Sequence, residues 1–241
     1  RDFFVEGEKT EFSAFAFGSD YDDYAVEILR NVIWDAGDDG IEVLGSENDD
    51  YNAYSYDCSE CGYFSNTGRT LIQDNTVNNT GLADGYAILS FDGWYGDNGS
   101  HGITVEDIYG DYGYDGYSVE IVGNTVDNAE NSGIRIENID TSLTSGNTVS
   151  NSGDHGFLSA AGWEYWSYYN SNGDVVLAGN TFNNNPVGAR FESGEWIDLT
   201  GATNTINGGD VGLQFEPFTD YGYGFAKTES EISLYIVPLA S

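Results

Sequence analysis

The sequence predicts an all-β fold, a right-handed parallel β-helix of about eight coils with capping strands at its ends. Three observations predict it. A short phrase recurs along the chain, a second glycine-led phrase follows each copy, and the segments between them alternate apolar and polar residues. The first phrase reads Gly123-Asn124-Thr125-Val126, then Gly146-Asn147-Thr148-Val149, then Gly179-Asn180-Thr181-Phe182, with diverged copies at Asp74-Asn75-Thr76-Val77 and Thr203-Asn204-Thr205-Ile206. The second phrase reads Gly133-Ile134-Arg135-Ile136, Gly156-Phe157-Leu158-Ser159, Gly188-Ala189-Arg190-Phe191 and Gly212-Leu213-Gln214-Phe215.

Taken in order, residues 1–30 carry Phe3, Phe4, Phe12, Phe15 and Phe17, and are expected to form an N-terminal cap or interaction strands. Residues 31–216 hold the repeats. Asn124 to Asn147 spans 23 residues and Asn180 to Asn204 spans 24, the length of three short strands with their turns. Asn147 to Asn180 is 33, read as one coil with an expansion; Asn31 to Asn75 and Asn75 to Asn124 are each read as two coils. In a strand such as Ile134–Glu137 the isoleucines point inward while Arg135 and Glu137 point outward. The recurrent asparagines are expected to hydrogen-bond from coil to coil, since stacked positions lie ~4.8 Å apart. The recurrent glycines are expected at turns that need φ > 0. Residues 217–241 end in an apolar run containing Leu234, Tyr235, Ile236 and Val237, expected as a closing cap or as an assembly strand for another copy.

Charge excludes some partners. The chain carries 41 acidic against 7 basic residues, a net charge of −34, so it repels nucleic-acid phosphates and anionic membranes. No apolar run approaches the ~18 residues that would cross a bilayer. Such a surface suits salty or calcium-containing water, and the expected location is extracellular or at the cell surface. The acidic clusters around Asp22, Asp23, Asp49 and Asp50 are candidate calcium ligands, because oxygen-rich loops suit that ion. Cys58 and Cys61 form the only cysteine pair; with no second pair to complete a zinc site, a local disulfide is expected.

Two motifs bear on catalysis. Tyr112-Gly113-Tyr114-Asp115 and His155-Gly156-Phe157 stand in the region 105–215, which resembles the β-helix modules of mannuronan epimerases within the wider pectate-lyase-like superfamily. That resemblance implies Tyr112 and His155 as proton-transfer groups and Asp115 as a supporting carboxylate. The chain departs from the family pattern at Gly116 and Tyr117, where proline and histidine are expected, and at Asp154, where a basic residue is expected. Removing a proton beside a uronate carboxylate needs that carboxylate neutralised, and the local charge works the other way. His101 and His155 occupy the same slot as Asp39, Ser132, Val187 and Val211, the pattern of a tolerant turn position. Arg135 and Arg190 stand in one outward column beside Glu137, Glu192 and Glu216, read as exposed ion pairs.

Aromatic runs are the remaining signal. Trp94 and Tyr95, and Trp163, Tyr165 and Trp166 within the expansion between coils, are candidate contacts for a glycan or for a protein partner. Together these features point to a non-catalytic extracellular structural or adhesive protein, a surface, matrix or filament subunit that self-associates through its terminal strands. The alternatives are a calcium-assisted polyuronate epimerase or lyase, and a polysaccharide-binding module.

Overall fold

The computed structural model describes residues 12–15, 24–36, 39–44, 69–81, 100–108, 116–160, 172–194, 196–215 and 231–232. Among these residues there are twenty strands and no helix. The first coil consists of β1 (Phe12–Phe15), β2 (Tyr24–Leu29) and β3 (Val32–Ala36), and the second of β4 (Ile41–Leu44), β5 (Arg69–Gln73) and β6 (Thr76–Thr80). The third holds β7 (Ile103–Ile108), β8 (Val119–Val122) and β9 (Thr125–Asp127). The fourth holds β10 (Ile134–Ile139), β11 (Thr141–Ser145) and β12 (Thr148–Ser150), and the fifth β13 (His155–Ala160), β14 (Asp174–Ala178) and β15 (Thr181–Asn183). The sixth holds β16 (Val187–Phe191), β17 (Trp196–Asp198) and β18 (Thr205–Asn207), and β19 (Val211–Phe215) and β20 (Glu231–Ile232) belong to a seventh.

Every coil repeats one order of sheets, so equivalent strands stack in parallel. The first sheet is β1-β4-β7-β10-β13-β16-β19, the second β2-β5-β8-β11-β14-β17-β20, and the third runs from β3 through β6, β9, β12 and β15 to β18. This is a parallel β-helix. Both end segments expected as caps contribute to it: β1 pairs with β4, and β20 pairs with β17.

Among the described residues the coils number seven, against the expected eight or so. Asn31 and Asn75 are adjacent rungs, with the Asn31 N–H donating to Asn75 Oδ1 at 2.8 Å, and Asn75 donates in the same way to Asn124 at 2.9 Å. The intervals of 44 and 49 residues are therefore single coils with long insertions. Only strands stack, so extra chain between them leaves the register intact.

The interior follows from alternation. Ile41, Ile103, Ile134, Phe157 and Ala189 form one inward column of the first sheet, all fully buried. Asn31, Asn75, Asn124, Asn147, Asn180 and Asn204 form the expected ladder at the corner between the second and third sheets. Each side-chain amide from Asn75 onward also donates to a strand carbonyl, as Asn147 Nδ2 does to Ile121 O at 2.8 Å, so these polar groups are satisfied where water is excluded.

The glycines divide into two kinds. Gly123, Gly146 and Gly179, just before the ladder, have φ of 67°, 65° and 68°, as the repeat suggested. The glycines of the second phrase do not. A Cβ on Gly156 would lie 2.5 Å from Gly188 O and 2.6 Å from Phe182 Cδ1, and Gly102, Gly133 and Gly188 meet the following coil in the same way. Those positions hold glycine because coil packs on coil there.

Candidate functional site

His155 begins β13 at the corner between the third and first sheets, in one column with Asp39, His101 and Ser132. The column is hydrogen-bonded from coil to coil. The His101 N–H donates to Asp39 Oδ1 at 2.5 Å, the Ser132 N–H donates to His101 Nδ1 at 3.2 Å, and Ser132 Oγ lies 3.2 Å from His155 Nδ1. His155 is only 5% exposed, and its Nε2 is buried without a hydrogen-bond partner among the described residues. Burial lowers the imidazole pKa below 6.5, against the opposing pull of the Asp154 carboxylate, whose Oδ2 stands 3.6 Å from Nδ1. A slot that accepts Asp, Ser, His and Val is thus an interior corner rather than a surface turn. The ring fills space between rungs, and its Nδ1 edge faces Ser132 within the protein.

Of the other residues expected to act with it, Tyr112 and Asp115 lie outside the described residues. So do Trp94, Tyr95, Trp163, Tyr165 and Trp166, the assembly-strand residues Leu234, Tyr235, Ile236 and Val237, the pair Cys58 and Cys61, and the candidate calcium ligands Asp22, Asp23, Asp49 and Asp50. Among the described residues no group of three His, Cys, Asp or Glu side chains is placed to hold a metal ion.

The outer face of the first sheet carries the expected charged column. Arg135, Leu158 and Arg190 are in register on successive coils. Arg135 pairs with both Glu106 and Glu137, and Arg190 Nη2 meets Glu192 Oε1 at 2.6 Å. The Arg135 pairs are not the exposed surface bridges expected, for Arg135 is 7% exposed, whereas the Arg190 side chain is 26% exposed. Two carboxylates around one shielded guanidinium offset the cost of withdrawing it from water.

The outer face of the second sheet holds a feature the sequence reading missed. Thr141, Asp174 and Trp196 are in register on three successive coils, with Val176 and Asp198 in the column beside them. With Gly116 and Tyr117 they line a shallow groove of about 390 Å³. Its axial length covers four coils, ~14 Å at the usual strand spacing. Trp196 is 45% exposed, one of three large apolar side chains so exposed among the described residues, with Trp34 and Val211. The Asp198 carboxylate accepts from Thr200 N–H at 2.7 Å and Oγ1 at 2.6 Å, and these bonds lower its pKa and keep it ionised. The sequence carried only part of the signal: alternation in Trp196-Ile197-Asp198 puts the tryptophan on the side opposite Ile197, and the observed register, Ile197 beside Val175, makes that side the outer one.

No family model matches the chain, and no curated protein matches it.

Proposed function

We propose that this chain is a non-catalytic extracellular structural or adhesive protein, an acidic β-helical rod that associates end to end with copies of itself. The observation that carries the reading is the state of the C-terminal end of the stack. Gly102, Gly133, Gly156 and Gly188 each press on the carbonyl of the following coil, whereas a Cβ on Gly212 would meet nothing within 4 Å among the described residues. Val211 is 38% exposed, and the core-directed side chains Ile206, Leu213 and Phe215 are only partly buried. Among the described residues nothing pairs with the outer edges of β18 and β19. Unpaired edges over apolar side chains favour strand addition, and a head-to-tail contact of this kind propagates into filaments. The net charge of −34 opposes association, so assembly should strengthen with salt or calcium.

An epimerase or lyase would need an imidazole that reaches substrate and a cation able to neutralise a uronate. The burial of His155 and the glutamate partners of Arg135 and Arg190 support the non-catalytic reading instead. Electron microscopy and light scattering of the full chain, beside a variant lacking residues 232–239, test the proposal. Filaments or concentration-dependent oligomers that diminish in the truncation are expected. A full chain that stays monomeric in salt and calcium would refute end-to-end association, and unchanged assembly by the truncation would refute strand donation by the tail. Turnover of alginate or pectin in the presence of calcium would overturn the non-catalytic reading.

A further inference from the structure

We propose that the groove on the second sheet binds an uncharged polysaccharide chain lying along the axis of the β-helix, with the apolar face of a pyranose ring stacked on Trp196. This extends the adhesive half of the reading above but stands on a different surface from the stack end. Four properties of the groove define the ligand. It is an open trough four coils long rather than an enclosed pocket, which suits an extended polymer. Its one large exposed ring belongs to a rigid strand, so little side-chain freedom is lost when a flat apolar surface covers it.

The polar groups around that ring are mainly acceptors. Asp174 is exposed, and Asp198, although it accepts from Thr200, is an ionised carboxylate with lone pairs to spare. Carboxylates beside a ring accept charge-assisted hydrogen bonds from sugar hydroxyls, which are donors. Among the described residues none that lines the groove is basic; Arg69, whose Nε donates to Tyr117 O at 3.4 Å, is paired with Glu120, and the chain is strongly acidic overall, so a polyuronate or sulfated glycan would be repelled. A protein partner fits less well, because the groove is shallow and its two aromatic residues, Trp196 and Tyr117, stand among Thr141, Asp174, Val176 and Asp198 without a surrounding apolar patch. In the sequence, two of the lining residues come shortly after aromatic-rich segments. Gly116 follows directly on the Tyr112–Asp115 segment, and Asp174 begins the strand reached after the Trp163–Trp166 segment.

Binding can be measured by calorimetry and intrinsic tryptophan fluorescence with four soluble uncharged polymers: hydroxyethyl cellulose, xyloglucan, galactomannan and laminarin. Alginate serves as the anionic comparison. At least one uncharged polymer should bind, and Trp196→Ala should weaken it at least ~10-fold, the effect of losing a central aromatic anchor. Asp198→Asn should weaken it less. Trp34→Ala, which removes the exposed ring on the third sheet, should leave binding unchanged while all variants keep the wild-type circular dichroism and melting temperature. Failure of the wild-type protein to bind any of the four polymers would overturn the proposal. So would equal losses in Trp34→Ala and Trp196→Ala, or alginate binding as tight as that of the uncharged chains. Assembly is read separately: Trp196→Ala should still associate, and the chain lacking residues 232–239 should still bind glycan.

Discussion

Replacing Asn147 by alanine tests whether the internal ladder holds the coils together. Asn147 Oδ1 accepts from the backbone N–H of Asn124 at 2.8 Å and from its Nδ2 at 3.0 Å. Its own Nδ2 donates to Asn180 Oδ1 at 2.9 Å and to Ile121 O at 2.8 Å. Truncation leaves the Asn124 N–H and the Ile121 carbonyl buried without these partners, while Asn124 Nδ2 keeps its bond to Ile72 O at 2.9 Å. An orphaned buried polar group costs about 1–3 kcal/mol, so two of them put the loss at about 2–6 kcal/mol. The terminal rung gives the comparison. Asn204 is only half-buried, so water can take the place of its truncated side chain beside the Asn180 N–H, and Asn204→Ala should cost about 1 kcal/mol or less. Urea unfolding followed by circular dichroism at constant pH measures both. Equal losses at the two positions, or a loss below about 1 kcal/mol for Asn147→Ala, would refute the claim that buried satisfaction rather than mere repetition makes the ladder important.

Other predictions follow from local geometry. Gly146→Ala meets no atom closer than 3.9 Å, so it should cost only the left-handed backbone penalty of about 1 kcal/mol, whereas Gly156→Ala collides with the next coil and should cost several-fold more in the same unfolding assay. Arg135→Ala should destabilise by about 2 kcal/mol, reduced from the fully buried case because Glu106 and Glu137 remain partly solvated. Arg190→Ala, at a side chain 26% exposed, should cost under about 1 kcal/mol. The folded-state pKa of His155 is depressed, so its contribution is fully present above pH 6.5 and is lost as pH falls from there toward the folded value. The wild-type urea midpoint should therefore fall relative to that of His155→Ser between pH 7.5 and pH 5.5, and parallel curves would show that the ring does not titrate with folding.

The repeat made the fold legible because it records two independent physical demands at once. A residue before the ladder must enter the left-handed region, hence Gly123, Gly146 and Gly179, and the next must carry an amide that bridges rungs, hence Asn124, Asn147 and Asn180. Insertions blurred the count, because a long connection and an extra coil look alike when only the interval between asparagines is read. The role of the second-phrase glycines was illegible for a different reason. Their requirement lies in the contact with Phe182 or Val149 of the third sheet and with the carbonyl one coil on, and neither neighbour is near in sequence. The exposure of Trp196 and the burial of His155 share that property. Alternation says which side of a strand a residue takes, but the difference between a corner and a face depends on what stacks above and below.

The distribution of insertions connects this architecture to function. From the second sheet to the third, the inward positions are seven residues apart in five coils: Val26 to Ile33, Thr70 to Val77, Val119 to Val126, Ser142 to Val149 and Val175 to Phe182. The sixth coil takes nine, from Ile197 to Ile206, and still keeps Asn204 bonded to Asn180, so the corner that holds the ladder varies by only two residues. The connection from the first sheet to the second has no such constraint. It is eight residues from Ile134 to Ser142 and from Ala189 to Ile197, but 29 from Ile41 to Thr70, 16 from Ile103 to Val119 and 18 from Phe157 to Val175. Length thus varies most along this edge, with one further insertion between the third sheet and the first, 26 residues from Val77 to Ile103 against eight from Ile33 to Ile41, and variable connections held by a rigid scaffold are where binding surfaces arise. The Trp196 groove borders that same edge, at the starts of β8, β11, β14 and β17. The ladder that fixes one corner therefore leaves the opposite margin of the second sheet as the place where added chain can build a contact surface without disturbing the stack.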